Sequence, residues 1–198
     1  MSNIENVNRS KKVIFLVSGK AGSGKSTFTQ DAILELDKFG IKAKRMSFAA
    51  KIKDIASQYF GWSGTKDERG RTLLQHLGEC GREYHINTWV NNLIYDIVTD
   101  VSNTKVYIID DCRYVNEITC FEGDYRFKVI KINIQRTNYN SNLTLEQQMD
   151  VSENGLNNYA GFDTIIINNS DRQGFATQVK EVVGVYMGEI KNALQGEE

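Results

Sequence analysis

Apolar residues in this chain fall into two kinds of run, short continuous ones and longer ones spaced in threes and fours, and their alternation predicts the fold. Val13 to Val17 is apolar and β-branched, a buried strand. Thr27 to Phe39 then carries Phe28, Ala32, Ile33, Leu36 and Phe39 at near-helical spacing. Gly40 ends that helix, and Ile41 to Phe48 alternates weakly as a second strand before Ala49 to Phe60 runs as a helix with Ile52, Ile55, Ala56 and Tyr59 inward. Gly61 to Gly70 reads as a loop. From Arg71 the positions Leu73, Leu74 and Leu77 predict a helix, broken by Gly78 to Gly81 before a longer one through Trp89, Val90, Leu93, Ile94, Ile97 and Val98.

Lys105 to Asp111 predicts the third strand, Arg126 to Gln135 the fourth and Phe162 to Asn169 the fifth. Asp171 opens a last helix whose Phe175, Val179, Val182, Val183, Tyr186, Met187 and Ile190 form one apolar face. Thr137 to Asn158 is rich in Asn, Ser, Gln and Thr, which predicts a mobile lid rooted at Arg136, over about 136–158, with a short helix near Leu145 to Met149. Strands alternating with helices imply a three-layer α/β/α fold, a five-stranded parallel sheet with helices on both faces. The 198 residues suit a single domain over 13–195 behind a frayed, polar tail at 1–12.

Between the first strand and helix lies Gly19-Lys20-Ala21-Gly22-Ser23-Gly24-Lys25-Ser26, followed by Thr27, which fits G-x-x-x-x-G-K-[ST] without mismatch. Glycines let consecutive N–H groups turn inward and form an anion-binding nest at a helix N-terminus. Lys25 is thereby expected on the β/γ-phosphates of a nucleoside triphosphate and the Ser26 hydroxyl on Mg²⁺. In an open α/β sheet ligands bind beyond the carboxyl ends of the strands, so Ser47, Phe48 and Ala49 should face the same crevice. Asp111, ending an apolar strand, is placed to hold Mg²⁺ or its water shell. Lys53 and the arginines near glycines, Arg69, Arg71 and Arg82, are candidate phosphate clamps, and Arg136 a candidate for adenine stacking or for the transferring phosphoryl group. For any one of these cations, a solvated or salt-bridged surface residue is the competing reading.

Composition narrows the partners. A net charge of −1 and a pI near 6.2 argue against a surface built for a long nucleic-acid backbone, leaving a small anionic ligand. Cys80, Cys112 and Cys120 form no C-x-x-C pair, and His76 and His85 have no ligand spacing to them, so neither a disulfide framework nor a zinc site is indicated and a reducing cytoplasm fits. No apolar run approaches a membrane span or a signal peptide, and a homodimer stays open.

Three classes of phosphate-loop protein compete. The D-x-x-G matches beginning at Asp37, Asp67 and Asp171 do not follow the third strand, and N-K-x-D is absent, against a GTPase switch. The chain is short for a motor ATPase. A kinase needs an acceptor site, a lid and arginines around the phosphates, and candidates for all three are present. A hydroxyl acceptor benefits from a carboxylate base, whereas an acceptor phosphate is already an anion. The second strand ends Ser47-Phe48-Ala49-Ala50 without an acid, which favours a monophosphate acceptor.

Several later segments, in order, carry a likeness: Phe48-Ala49-x-x-Ile52-Lys53-Asp54; Leu73-Leu74-Gln75-x-Leu77-Gly78-Glu79 with Arg82; Trp89-Val90; Asp111-x-Arg113-Tyr114-x-Asn116-Glu117; and Ser152-Glu153-x-x-Leu156 before Asn168-Asn169. With the loop at 18–26, this set resembles the bacteriophage deoxynucleoside monophosphate kinases from about Val13 to Val183. The resemblance implies an adenylate-kinase-like P-loop kinase fold, with an acceptor-binding region over about 49–100, ATP and Mg²⁺ as cofactors, and a small nucleotide substrate in the cytoplasm of a phage's host. By position, Lys25 and Gly22 to Ser26 hold the donor phosphates, Ser26 and Asp111 organise Mg²⁺, and Lys53, Arg82 and Arg113 contact the acceptor. Phe48, Ala49, Arg71, Gln75 and Trp89 fall in the acceptor-side motifs, Arg136 begins the lid and Asn168 lies beside the donor base. Lys51 stands where that family often has proline, which leaves base choice open. Ser152-Glu153-Asn154-Gly155-Leu156 is also similar to a segment of animal-type phosphomevalonate kinases, and a kinase of a modified base in DNA or a non-catalytic nucleotide-binding regulator are further alternatives.

Overall fold

The computed structural model describes residues 10–65, 67–137, 149 and 151–196. The most apolar run becomes the central strand of a sheet. In β1, Lys12–Ser18, side chains alternate between two faces, and every residue from Val13 to Val17 is fully buried. Val13, Phe15 and Val17 enter one core with Phe28, Ala32 and Leu36 of α1 (Lys25–Asp37) and with the apolar face of the last helix. Ile14 and Leu16 enter a second core on the opposite face.

The remaining elements are β2 (Ala43–Met46), α2 (Ala50–Phe60), α3 (Glu68–Tyr84), α4 (Thr88–Thr99), β3 (Val106–Cys112), α5 (Val115–Thr119), β4 (Phe127–Gln135), α6 (Val151–Asn154), β5 (Thr164–Ile167) and α7 (Arg172–Gln195). The five strands lie in the order β2-β3-β1-β4-β5 and all pairings are parallel. This is the three-layer α/β/α arrangement expected from the periodicity. Because the chain first builds one side of β1 and then the other, the loop after β1 opens onto the crevice where the strand order reverses.

Several expected boundaries move, β2 and β5 each being shorter than expected and β3 running one residue further, to Cys112. Lys12 belongs to β1, and the Lys11 N–H donates to the Ala193 carbonyl at 2.7 Å, so these two residues of the stretch read as a tail are part of the fold. The expected loop over 61–70 ends early, because Asp67 caps α3 by accepting from the Gly70 N–H at 2.7 Å. Gly78 and Gly81 do not break a helix. They lie within α3, and a Cβ at Gly81 would sit 2.4 Å from Trp89 Cζ2, so the glycine is there to let α4 press against α3. The actual break falls at 85–87, between the two helices. Most of the expected lid, including the helix near Leu145 to Met149, lies outside the described residues apart from Met149. No helix among the described residues is long and apolar enough to cross a membrane.

Candidate active site

The loop after β1 takes the nest form its glycines allow. Gly19, Gly22 and Gly24 have φ of 147°, 77° and 109°, and a Cβ at Gly19 would meet the Ile134 carbonyl oxygen at 2.3 Å. The loop is therefore wedged against β4 at its start. At its other end the Asn168 amide donates to the Ser23 carbonyl at 2.8 Å, so β5 holds the loop from the opposite side. Asn168 is buried, and this is its direct work in the fold. Ser23 Oγ is buried without a hydrogen-bond partner among the described residues, an orphaned polar atom in the loop.

Lys25 is folded back onto this loop, its Nζ donating to the Gly19 carbonyl at 2.5 Å and the Lys20 carbonyl at 2.9 Å. Burial lowers its pKa to about 8, with nearby Arg113 pushing the same way and Glu153, Asp110 and Asp111 opposing. The ammonium form is the one that attracts phosphate. On the reading of this loop as a donor site, argued below, ATP affinity is accordingly expected to stay level up to about pH 7 and to fall above about pH 8, approaching tenfold per pH unit. Titration calorimetry across that range checks it, and a flat profile to about pH 10 would contradict the lowered pKa.

One side of the loop opens into a cavity of about 400 Å³ lined by Gly22, Gly24, Lys25, Ser26, Thr27, Arg136, Asn168 and the start of α7 through Phe175. Arg136 reaches the loop, Nη1 lying 3.5 Å from the Gly22 carbonyl oxygen. Thr137 is pinned to the end of β5 by reciprocal hydrogen bonds with Asn169, at 3.1 and 2.8 Å.

The other side is organised by residues 110–117. Asp111 Oδ2 accepts from Ser47 Oγ at 2.6 Å and from the Ala49 N–H at 3.1 Å, while Oδ1 accepts from the Phe48 N–H at 3.0 Å. The acid expected on a metal is thus the tie that joins the end of β2 to the start of α2. Asp110 is almost wholly buried and pairs with Arg45 through both oxygens, at 3.0 and 2.9 Å; it also accepts from Thr29 Oγ1 at 3.2 Å. Arg45 Nη2 lies 3.4 Å from Ser26 Oγ. Neither Arg45 nor Asp110 was singled out from sequence, although an arginine near the end of β2 beside an acid near the end of β3 is a readable signal.

Arg113 reaches the loop by pairing with Glu153, whose other oxygen accepts from the Ala21 N–H at 2.9 Å. Arg82, from the last turn of α3, stacks on the Tyr114 ring at 4.5 Å, so it meets the segment after β3 at the residue next to Arg113. Asn116 donates to the Ile86 carbonyl and to Asn87 Oδ1, both at 3.1 Å, fastening the turn between α3 and α4 to α5. Glu117 accepts from the Arg113 and Tyr114 N–H groups at 2.7 and 3.1 Å; burial pushes its pKa up to about 7.

Two expected substrate contacts prove to be core residues. Phe48 is 4% exposed and packs in the second core, its backbone N–H being taken up by Asp111. Trp89 is 8% exposed, lies against Gly81 and donates its indole N–H to the Gly78 carbonyl at 2.8 Å. Both aromatic side chains were placed by motif position, and apolar packing took them. Ala49 stays half-exposed at the α2 N-terminus, Lys53 is half-buried on the first turn of α2, Arg71 is half-buried on α3, and Gln75 and Arg69 are exposed. No cluster of three or more His, Cys, Asp or Glu that could hold a metal alone occurs among the described residues, and the three cysteines are free.

No protein-family profile matches the chain, and no curated protein matches it either. Among solved structures it is similar to the APS kinase CysC of Mycobacterium tuberculosis, at 14% identity and a TM-score of 0.42, covering 89% of this chain and 99% of that one. It is also similar to a sugar kinase from Janibacter sp. HTCC2649, at 14% identity and a TM-score of 0.45, covering 90% and 95%. At this level of likeness the fold assignment rests on the chain's own strand order and phosphate loop.

Proposed function

We propose that this chain is an ATP-dependent kinase whose acceptor is itself a phosphate, in the first place that of a deoxynucleoside monophosphate. The observation that carries this reading is the two-sidedness of the loop. A cavity with Arg136 opens beside the loop at Gly22 to Thr27, and Arg113, one residue before the Tyr114 ring that Arg82 covers, reaches the loop at Ala21 through Glu153. Phosphoryl transfer is chiefly positioning and charge neutralisation, and such a site supplies both to a donor and an acceptor.

The nest at 19–24 and Lys25 would hold the donor's phosphates, the orphaned Ser23 hydroxyl and the inward N–H groups being suited to anionic oxygens. Ser26 would hold Mg²⁺ together with an acid from the end of β3; both acids are engaged, Asp111 by residues 47–49 and Asp110 by Arg45 and Thr29, and Asp110 is the one linked to Ser26, through the Arg45 guanidinium that would have to give way to the ion. Bound there, the ion neutralises charge on the β- and γ-oxygens. Lys53, Arg82 and Arg113 orient the acceptor phosphate, and Arg136 closes over the donor. The Glu153–Gly155–Leu156 segment shared with phosphomevalonate kinases serves the loop and the core here, so it does not separate the two acceptors.

A coupled assay of ADP formation over the four common deoxynucleoside monophosphates, phosphomevalonate and duplex DNA decides the acceptor. Turnover is expected with at least one monophosphate. Turnover with phosphomevalonate or DNA alone would overturn the nucleotide reading, and none at all despite ATP binding would point to a regulator. In the same assay Arg82→Ala is expected to raise KM for the acceptor about 10- to 100-fold, the usual worth of a charged hydrogen bond, and to leave KM for ATP within about threefold. A rise for ATP alone would remove Arg82 from the acceptor side.

A further inference from the structure

We propose that Glu153 is a positioning residue that occupies the phosphate loop in place of the donor's anion and holds Arg113 beside it until nucleotide displaces it. The inference rests on the donor-site reading above. Its carboxylate bridges a backbone N–H of the loop, that of Ala21, and the Arg113 guanidinium, and its side chain is only 10% exposed. A carboxylate buried against a loop N–H and a guanidinium takes the same pair of partners that a phosphate oxygen would seek.

The surroundings fix it there. At Gly155 a Cβ would lie 2.6 Å from the Arg113 carbonyl oxygen and 3.0 Å from that of Val151, so only glycine lets the end of α6 press against residue 113. Leu156, next in the chain, is buried in the second core and anchors the segment. Phosphate arriving at the loop competes for the Ala21 N–H and brings negative charge against a carboxylate that is largely out of water. Glu153 must then yield, and the released guanidinium turns to phosphate at the moment both substrates need it.

Titration calorimetry of wild-type protein, Glu153→Gln and Glu153→Ala with ATP and with inorganic tripolyphosphate tests this. Both variants are expected to bind both ligands about 5- to 10-fold more tightly, with melting temperature little changed. In the coupled assay KM for ATP falls while kcat falls about tenfold, because Arg113 has lost its guide. A merely structural residue would do the opposite, weakening ATP binding as the fold loosened. Unchanged or weaker binding of tripolyphosphate by a folded Glu153→Gln variant would overturn the proposal. If wild-type protein and both variants all fail to bind ATP and tripolyphosphate, it is the donor-site reading that fails.

Discussion

Replacing Lys25 with alanine is expected to lower kcat by about 10³-fold or more while the protein stays folded, because the fold hardly depends on this side chain and the chemistry does. Its ammonium makes two contacts, both to carbonyls of the loop it belongs to, at 2.5 and 2.9 Å. Those are local contacts at a half-buried position, and α1 begins at residue 25 whatever side chain stands there. In the transition state, by contrast, charge spreads over the transferred group's oxygens, and Lys25 is the cation the loop itself supplies. Coupled turnover together with circular dichroism checks both halves of the expectation. Near-wild-type kcat would contradict the donor-site assignment, and an unfolded variant would contradict the claim that the contacts are local.

Asp111→Ala is expected to cost about 3 kcal/mol of stability, whereas Asp110→Asn is expected to act mainly on Mg²⁺ dependence. Alanine at 111 leaves the Phe48 and Ala49 N–H groups and the Ser47 hydroxyl without the acceptor at 2.6 to 3.1 Å that ties β2 to α2. The start of α2, which carries Lys53, then loses its anchor, so KM for the acceptor should rise as well. Asparagine at 110 keeps an oxygen for Arg45 but removes the charge linked to Ser26 through that guanidinium. Chemical denaturation and Mg²⁺ titration of activity read the two effects separately. Should Asp111→Ala be stable but altered in its Mg²⁺ dependence while Asp110→Asn is normal, the roles of the two acids are reversed.

The same neighbouring pair shows how far the chain could be read without its fold. That two acids lie near the end of the third strand follows from a run of apolar residues reaching Asp110-Asp111, although the strand runs on to Cys112. Which acid points where does not, since adjacent strand residues face opposite sides of a sheet and only the packing says which side holds Arg45 and which holds Ser47. The glycines at 78 and 81 illustrate the converse error. Read locally they interrupt a helix, but a long-range neighbour, Trp89, explains at least Gly81 by close approach. Phe48 and Trp89 were misplaced for a related reason: motif position marks the neighbourhood of a site, while burial decides whether a side chain or only its backbone faces it.

Local chemistry by itself marked the layered α/β fold, the glycine loop at Gly19 to Ser26 and the candidate cations Lys25, Arg82 and Arg136, because periodicity, turn residues and charge are properties of short segments; Arg113 entered only through the family resemblance. Only the tertiary structure decided that Asp111 is a strut, that Arg45 joins Asp110 to Ser26, and that Glu153 lies on the Ala21 N–H. Those contacts link residues between 19 and 132 positions apart, and no pattern along the chain encodes a meeting that the crossing of strands around β1 brings about.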